Sequence, residues 1–590
     1  MVKAVGNYWE NTKLHFYKHR YIYLILISVF LVYILPLLFV QVPLGHDIEF
    51  HLTRIDGLAN ELKLGHFPVR IYSTTYANYG YAAPLFYGDW LLYFPATLVV
   101  CGVNLVNAYK TFIMICAILT ALSIYFSAQV ILDNKKAAAF TAVIYSISTY
   151  FATDAIIRHA NGEMQSFIFI PIAFAGLYNI ILSDGKKWIL LPFGLCGILV
   201  THMLTAVMTV VFMGLFALLF AVPMIRQPKK FLYILLSAGL FLLLSASFIL
   251  PMLEQLNSTK FLATDGTSAN TFGSLETRSM QTILSLISVF NVKITIDGTK
   301  YFIPQGIGLA LPVMIGWRIA YLRKTSSVET IVFLAFALLA LFMTSRFFPW
   351  ESLQNELGIL QFPWRLFVFV TFFVALFGGA MVKKLEGTNT LLIFMSVVVV
   401  ISFDSVTNTL YTSYKNVYEK AIKGEKINYL YEDSIGLGEY LPTGTKRNTV
   451  VNKNTVNYFR NRGDTITSNA EVSSVDIKRK DGVLKVRFQI ATESAVDESS
   501  VYIDLPLIMY KGYKVVLETP EGTSELDMAY GKNNVIRVYI DDATEGTITS
   551  WYEGTVIQKG SFWITLVTFV GVIAYYTIKK LKNKQGKYSA

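Results

Sequence analysis

Apolar runs of roughly 20 residues recur from Tyr21 to beyond residue 400, and no other feature limits the fold of this chain so strongly. A backbone inside lipid must satisfy its own polar groups, so each run is read as a helix. Hydrophobic residues make up 54% of the chain and charged ones 15%, which points to a polytopic membrane protein and away from a soluble enzyme. The net charge of +11 would suit nucleic acid if it were concentrated. Instead the basic residues form short clusters between the apolar runs: Lys135-Lys136, Lys186-Lys187, Arg226 with Lys229-Lys230, Arg323-Lys324, Lys383-Lys384, and Lys579-Lys580 with Lys582. Such spacing is what the positive-inside rule produces, so the expected partner is the bilayer and no nucleic acid. Cys101, Cys116 and Cys196 lie in apolar surroundings without metal spacing or a disulfide framework.

Placing every basic cluster in the cytoplasm pairs the runs between them. The run from Tyr21 to Val42 reads as a retained first span. With runs at 107–131, 137–153, 164–182, 188–201, 204–225, 231–250, 304–322, 328–345, 364–382, 389–407 and 561–578, about twelve crossings are expected. The chain is thus expected in the cell membrane, multi-pass, with both termini cytoplasmic. Pro84–Val103 is then one run too many and reads as an amphipathic or re-entrant helix on the outer face. The segments His46–Tyr81, Asp154–Glu163, Thr201-His202, Pro251–Tyr301 and Arg346–Arg365 are all expected outside. An extracytoplasmic active site argues against ATP or nucleotide-sugars as direct substrates and leaves a lipid-carried one. Residues 1–408 form the membrane module. Residues 409–560 alternate in character, as in Val483–Ile490 and Asn534–Ile540, with turn signals at Lys480-Asp-Gly482 and Glu521-Gly522. They read as an extracytoplasmic β-sandwich-like domain. Residues 561–590 carry the last span and a basic tail.

The first polar cluster follows the first span directly. His46, Asp47, Glu49, His51 and Arg54 fall within nine residues, and ionisable groups beside a membrane are costly unless they bind something. Asp47 and Glu49 point the same way if the segment is extended and diverge by about 200° on a helix. They could act as general base and partner or hold a divalent cation; the alternative is that they cap the helix that follows. His46 and His51 lack a third ligand at zinc spacing. The second cluster, Asp154 to Glu163, contains Arg158 and His159, suited to an anionic group such as a lipid phosphate; loop solvation is the alternative. The third is Gln361-Phe-Pro-Trp-Arg365, with Arg346 upstream. Arg365 opens a helix against its dipole, a placement that a bound phosphate would stabilise, whereas Trp364 is ordinary at an interface. His202, at a hairpin tip, is either a further binding residue or a satisfied loop histidine.

Five strings carry a resemblance: GHDIEFHLTRI (45–55), FPVRI (67–71), RHANGE (158–163), QFPWR (361–365) and GEYLP (438–442). They resemble a bacterial membrane-protein family labelled 6-pyruvoyl-tetrahydropterin-synthase-related and akin to YfhO-like proteins. Nothing in the chain resembles the soluble synthase. The acidic motif in the first outer loop, the helix after it and the second acidic cluster resemble the GT-C superfamily of glycosyltransferases. That resemblance implies a GT-C-like fold and a sugar transferase on the outer face, using a polyprenyl-phosphate-linked sugar and a cell-envelope polymer or lipid acceptor. It implies catalytic roles for Asp47 with Glu49 beside it, and for Asp154 or Glu163. It implies phosphate binding by Arg158, Arg365 and Arg346; His46, His51, Arg54, His159, His202 and Trp364 are further candidate substrate contacts from their residue types and places in the chain. HDIE departs from the paired acids of that superfamily, so the metal and the identity of the base stay open. No nucleotide site is present. A transporter or flippase for a cell-wall glycan, or an assembly scaffold, are the alternatives.

Overall fold

The computed structural model describes residues 18–265, 273–281, 291–296, 299–304, 306–321, 327–431, 434–451, 454–491, 501–541 and 543–588. Arg323 and Lys324 lie outside the described residues, as does much of the expected loop Pro251–Tyr301. Seven helices are long and apolar enough to cross a membrane: Lys18–Phe39, Leu105–Leu132, Asn161–Leu182, Pro228–Ser258, Pro363–Leu385, Leu391–Tyr411 and Val556–Lys582. An eighth crossing is possible where Lys135–Ser146 and Thr149–Ile157 form one span bent by 41°. The protein is therefore a multi-pass membrane protein, with seven or eight such spans among the described residues, where the expected figure of about twelve is not reached. The runs that fall short are Leu190–Leu199, Met203–Leu219 and Val328–Thr344, together with Ala310–Tyr321, where the run 304–322 is expected. At ~1.5 Å per residue they reach roughly 15–25 Å, less than the ~30 Å hydrocarbon core. Pro84–Val103 is likewise not one helix; it breaks into Ala83–Phe86, a 3-10 turn at Trp90–Leu92 and Tyr93–Val100.

The chain forms two compact units. The first comprises Met1–Ile48, Lys110–Phe241 and Ala269–Tyr429. Its centre is the helix Pro363–Leu385, the most buried of the seven, and aromatic side chains explain why. Phe369 stacks on Phe212 with ring centroids 4.4 Å apart, and Phe373 packs on Phe336 at 5.0 Å. Phe372 and Phe373 both meet Phe174. Glycines let the neighbouring helices approach: a β-carbon on Gly194 would strike the backbone of Ala173, and one on Gly176 that of Leu191. Close backbone contact of this kind is how helices associate when lipid offers no hydrophobic drive. The 41° bend follows from Ser148, whose hydroxyl caps the second helix by accepting from the Phe151 N–H at 3.3 Å. That helix then loosens into a π-turn at Thr153–Ile157, a form frequent at functional sites.

The second unit comprises Glu49–Tyr109, Leu242–Ser268 and Leu430–Ala590 and holds the β-rich region. A five-stranded antiparallel sheet runs in the order Gly522–Glu525, Tyr513–Thr519, Glu545–Tyr552, Val483–Ile490, Val472–Lys480. A four-stranded one orders Met528–Tyr530, Val535–Asp541, Val501–Ile508 and Thr467–Ser468. Asp481 and Gly482, at φ 52° and 76°, make the two-residue turn that pairs Lys480 with Val483. Along Val483–Ile490 only alternate residues, Leu484, Val486 and Phe488, are buried, each contributing about 1.5–3 kcal/mol. The amide of Gln255 ties the β-region to the helix that carries it, donating to the Lys511 carbonyl at 2.6 Å and accepting from its N–H at 3.2 Å.

Candidate functional site

Two of the sequence clusters meet in the first unit through the backbone. After the first span, Gln41 and Val42 are held by Ile427 N–H at 3.3 Å and by the Tyr429 hydroxyl at 2.6 Å. Gly45 then runs so close to the 157–159 segment that a β-carbon there would collide with the Ile157 carbonyl and the His159 ring. Two residues on, the Asp47 N–H donates to the Arg158 carbonyl at 2.9 Å. The glycine is thus the reason GHDIE can lie against RHANGE.

Arg158, itself buried, is the hub. Its Nη1 lies 2.8 Å from Asp154 Oδ1 and 3.1 Å from Glu163 Oε2. The Tyr150 hydroxyl donates to Glu163 Oε2 at 2.9 Å. From the third cluster Arg365 brings its Nε to 2.8 Å from Glu163 Oε1, so one carboxylate bridges two guanidiniums. Arg365 Nη1 also donates to the Leu360 carbonyl at 3.1 Å and to Gln361 Oε1 at 3.0 Å. Arg278, which nothing in the sequence marked, joins this end. It is buried, donates to the Gln361 carbonyl and, like Arg365, lies 5.4 Å from the centre of the Phe362 ring. Burial, reinforced by the like charge of Arg365, lowers the Arg278 guanidinium to about 10. Trp364 is buried and stacks on Phe362 at 4.4 Å.

Asp47 differs from the other acids. It is half-buried, and its carboxyl makes no hydrogen bond among the described residues. Arg158, Arg365 and Glu163 all lie within its electrostatic reach. Burial pushes the carboxyl above its ordinary value, and the two guanidiniums oppose that shift. His159 is fully buried with Nε2 3.0 Å from the Pro43 carbonyl, and burial lowers the ring to about 4. His202 caps the helix Met203–Leu219 through Nδ1, which accepts from the Thr205 N–H, and it lies within electrostatic reach of Glu163. His46 and Arg346 are exposed.

The remaining sequence candidates belong to the second unit. Glu49 lies in the first turn of the helix Ile48–Lys63 and accepts from the Leu430 N–H at 3.1 Å. His51 and Arg54 are buried, and Arg54 pairs with Asp89, which in turn accepts from the Tyr72 hydroxyl. Arg54 also donates to the Tyr87 and Gly88 carbonyls at 3.1 and 2.9 Å and stacks on the Tyr87 ring. Its charge is therefore used in holding the 83–92 segment. Among the described residues, no three His, Cys, Asp or Glu come together in a group that could hold a metal ion.

No family model matches the chain. It is 22% identical over 579 residues to an uncharacterized protein of Lactococcus lactis subsp. cremoris (strain MG1363), covering 92% of this chain and 93% of that one. Among solved structures it is similar to the Archaeoglobus fulgidus oligosaccharyltransferase. The likeness to the complex with Zn and sulfate has a TM-score of 0.35 at 12% identity, over 67% of this chain and 53% of that one. The apo form gives 0.34 at 13%, over 69% and 56%. The chain thus spans little more than half the length of that enzyme's chain.

Proposed function

We propose that the first unit is a membrane glycosyltransferase that moves a sugar from a polyprenyl-phosphate carrier to a hydroxyl of a cell-envelope polymer or lipid, on the outer face of the membrane. One observation carries the reading: Asp47, a half-buried carboxylate with no hydrogen bond of its own among the described residues, has its N–H on the Arg158 carbonyl at 2.9 Å and lies within electrostatic reach of the Arg158 and Arg365 guanidiniums. A base and a pair of cations at one place suit transfer from a phosphate leaving group to a hydroxyl. Asp47 takes the acceptor proton as the new bond to the anomeric carbon forms. The old carbon–oxygen bond breaks, and its electron pair leaves on the phosphate. Arg158, Arg365 and Arg278 offset that negative charge, and Glu163 keeps the first two guanidiniums in register. The bond energy of the donor drives the step, so no nucleotide is required. The resemblance of the acidic motif in the first outer loop and of the second acidic cluster to the GT-C superfamily points the same way.

The test is a deletion strain of the source organism complemented with wild type or Asp47→Asn at matched expression. Mass spectrometry of the envelope polymers reads the sugars present. Loss of one glycosyl substituent on deletion, restored by wild type and not by Asp47→Asn, is the expected result. Restoration by both variants would remove Asp47 from the chemistry and favour a scaffold or a transporter.

A further inference from the structure

The second unit contains a polar cleft that the proposed transfer chemistry does not use. Its volume is about 280 Å³, and its walls include Thr53, Asp56, Ala77, Asn78, Tyr431 and Arg460. That is close to the lower bound of ligand sites, ~300 Å³, and far above the ~15 Å³ that one water needs. We infer that this cleft binds a neutral sugar residue of a glycan.

Three rigid pieces build it. The helix Ile48–Lys63 presents Thr53 and Asp56, three residues apart and so on one face. The Thr53 hydroxyl is fixed by the Tyr431 carbonyl and by that of Glu49 at 3.0 Å, and the Asp56 carboxylate accepts from the Asn60 amide at 3.2 Å. The second piece is the loop closed by the Tyr72–Tyr81 bridge, with backbone bonds of 3.0 and 3.1 Å. At its tip Tyr76, Ala77 and Asn78 hold φ values of 59°, 56° and 64°. Three successive side-chain-bearing residues in the left-handed region are costly and persist only where the surroundings enforce them. Here the enforcement comes from Phe459, on which the rings of Tyr76 and Tyr79 pack at 5.1 and 4.6 Å, and from the bond of the Tyr79 hydroxyl to the Gly463 carbonyl at 2.7 Å. The third piece is the short helix Tyr458–Arg462, where Asn457 caps the N–H groups of Phe459 and Arg460. The ring that braces the strained loop therefore also places Arg460.

The lining selects the ligand class. Asp56 and Arg460 carry opposite charges into one cleft. The carboxylate and the guanidinium together give these walls no net charge to favour an ion, and a neutral polyol can donate hydroxyls to Asp56 and accept from Arg460. The threonine hydroxyl and the asparagine amide supply further donors and acceptors, and strain held beside such groups is characteristic of a pre-shaped ligand site.

The experiment uses the full-length protein in detergent or nanodiscs, with saturation-transfer NMR and titration of glucose, galactose, rhamnose, N-acetylglucosamine, glucuronate and inorganic phosphate. Binding of at least one neutral sugar is expected, weakened about tenfold or more by Asp56→Asn and by Arg460→Gln, with melting temperatures unchanged. Asp47→Asn, in the other unit, should leave this binding intact, so the transfer reading and this one can fail separately. Binding of phosphate or glucuronate in preference to every neutral sugar would overturn the assignment. So would the absence of neutral-sugar binding, or binding indifferent to both substitutions.

Discussion

Replacing Glu163 with Gln tests whether one carboxylate holds the candidate site together. In the structure its two oxygens serve Arg158 at 3.1 Å, Arg365 at 2.8 Å and the Tyr150 hydroxyl at 2.9 Å. The site is buried, so the amide leaves Arg158 paired with Asp154 and Arg365 with no paired carboxylate among the described residues. Breaking a buried pair from one side costs about 3–5 kcal/mol. Asp154→Asn provides the internal control. Asp154 bonds only Arg158, through Oδ1 at 2.8 Å, and its Oδ2 is buried with no hydrogen bond among the described residues. Removing that charge relieves a desolvation cost as it loses one bond, so the net loss should be nearer 1–2 kcal/mol. The assay is thermal unfolding of the purified full-length protein in one detergent, read by tryptophan fluorescence and by loss of monodispersity. Glu163→Gln should melt well below Asp154→Asn, which in turn should lie modestly below wild type. If Asp154→Asn is as damaging as Glu163→Gln, or if Glu163→Gln melts with wild type, the bridging role is wrong.

Gly45→Ala should disturb the site without touching its chemistry, because a β-carbon there meets the Ile157 carbonyl and the His159 ring. A loss of about 1–3 kcal/mol with reduced envelope glycosylation is expected, and wild-type behaviour would show that the segment passes elsewhere. His159, lowered to about 4 by burial, makes stability depend on pH. The unfolded chain takes its proton near 6.5, so the contribution is complete above that pH and is lost as pH falls towards 4. Between pH 7.5 and 5 the loss is about 2 kcal/mol, and His159→Asn should flatten that part of the melting profile; an unchanged slope would refute the assignment.

The sequence made the membrane class legible because apolar length is additive along the chain. It expects more spans than there are long apolar helices among the described residues, because hydropathy registers a run of residues and not where its helix stops; Leu190–Leu199 is strongly apolar but only ten residues long. Charged residues beside apolar runs were legible as candidates, and four of them, Asp154, Arg158, Glu163 and Arg365, meet although Arg365 is some two hundred residues away. Within the first cluster, proximity in sequence misled. Asp47 ends the extended segment, and the helix that begins at Ile48 carries His51 and Arg54 into a different packing environment, where Asp89 takes the guanidinium. Arg278 left no local trace, because what gives it meaning is Gln361 and Phe362, residues that only the fold brings near. Gly45 was visible as a letter in a motif, but its requirement is steric and arises from a backbone more than a hundred residues on. Burial is the common thread: sequence shows which groups are ionisable, whereas their roles depend on which of them the fold leaves unbonded, and in the first unit that difference sets Asp47 apart from Asp154 and Glu163.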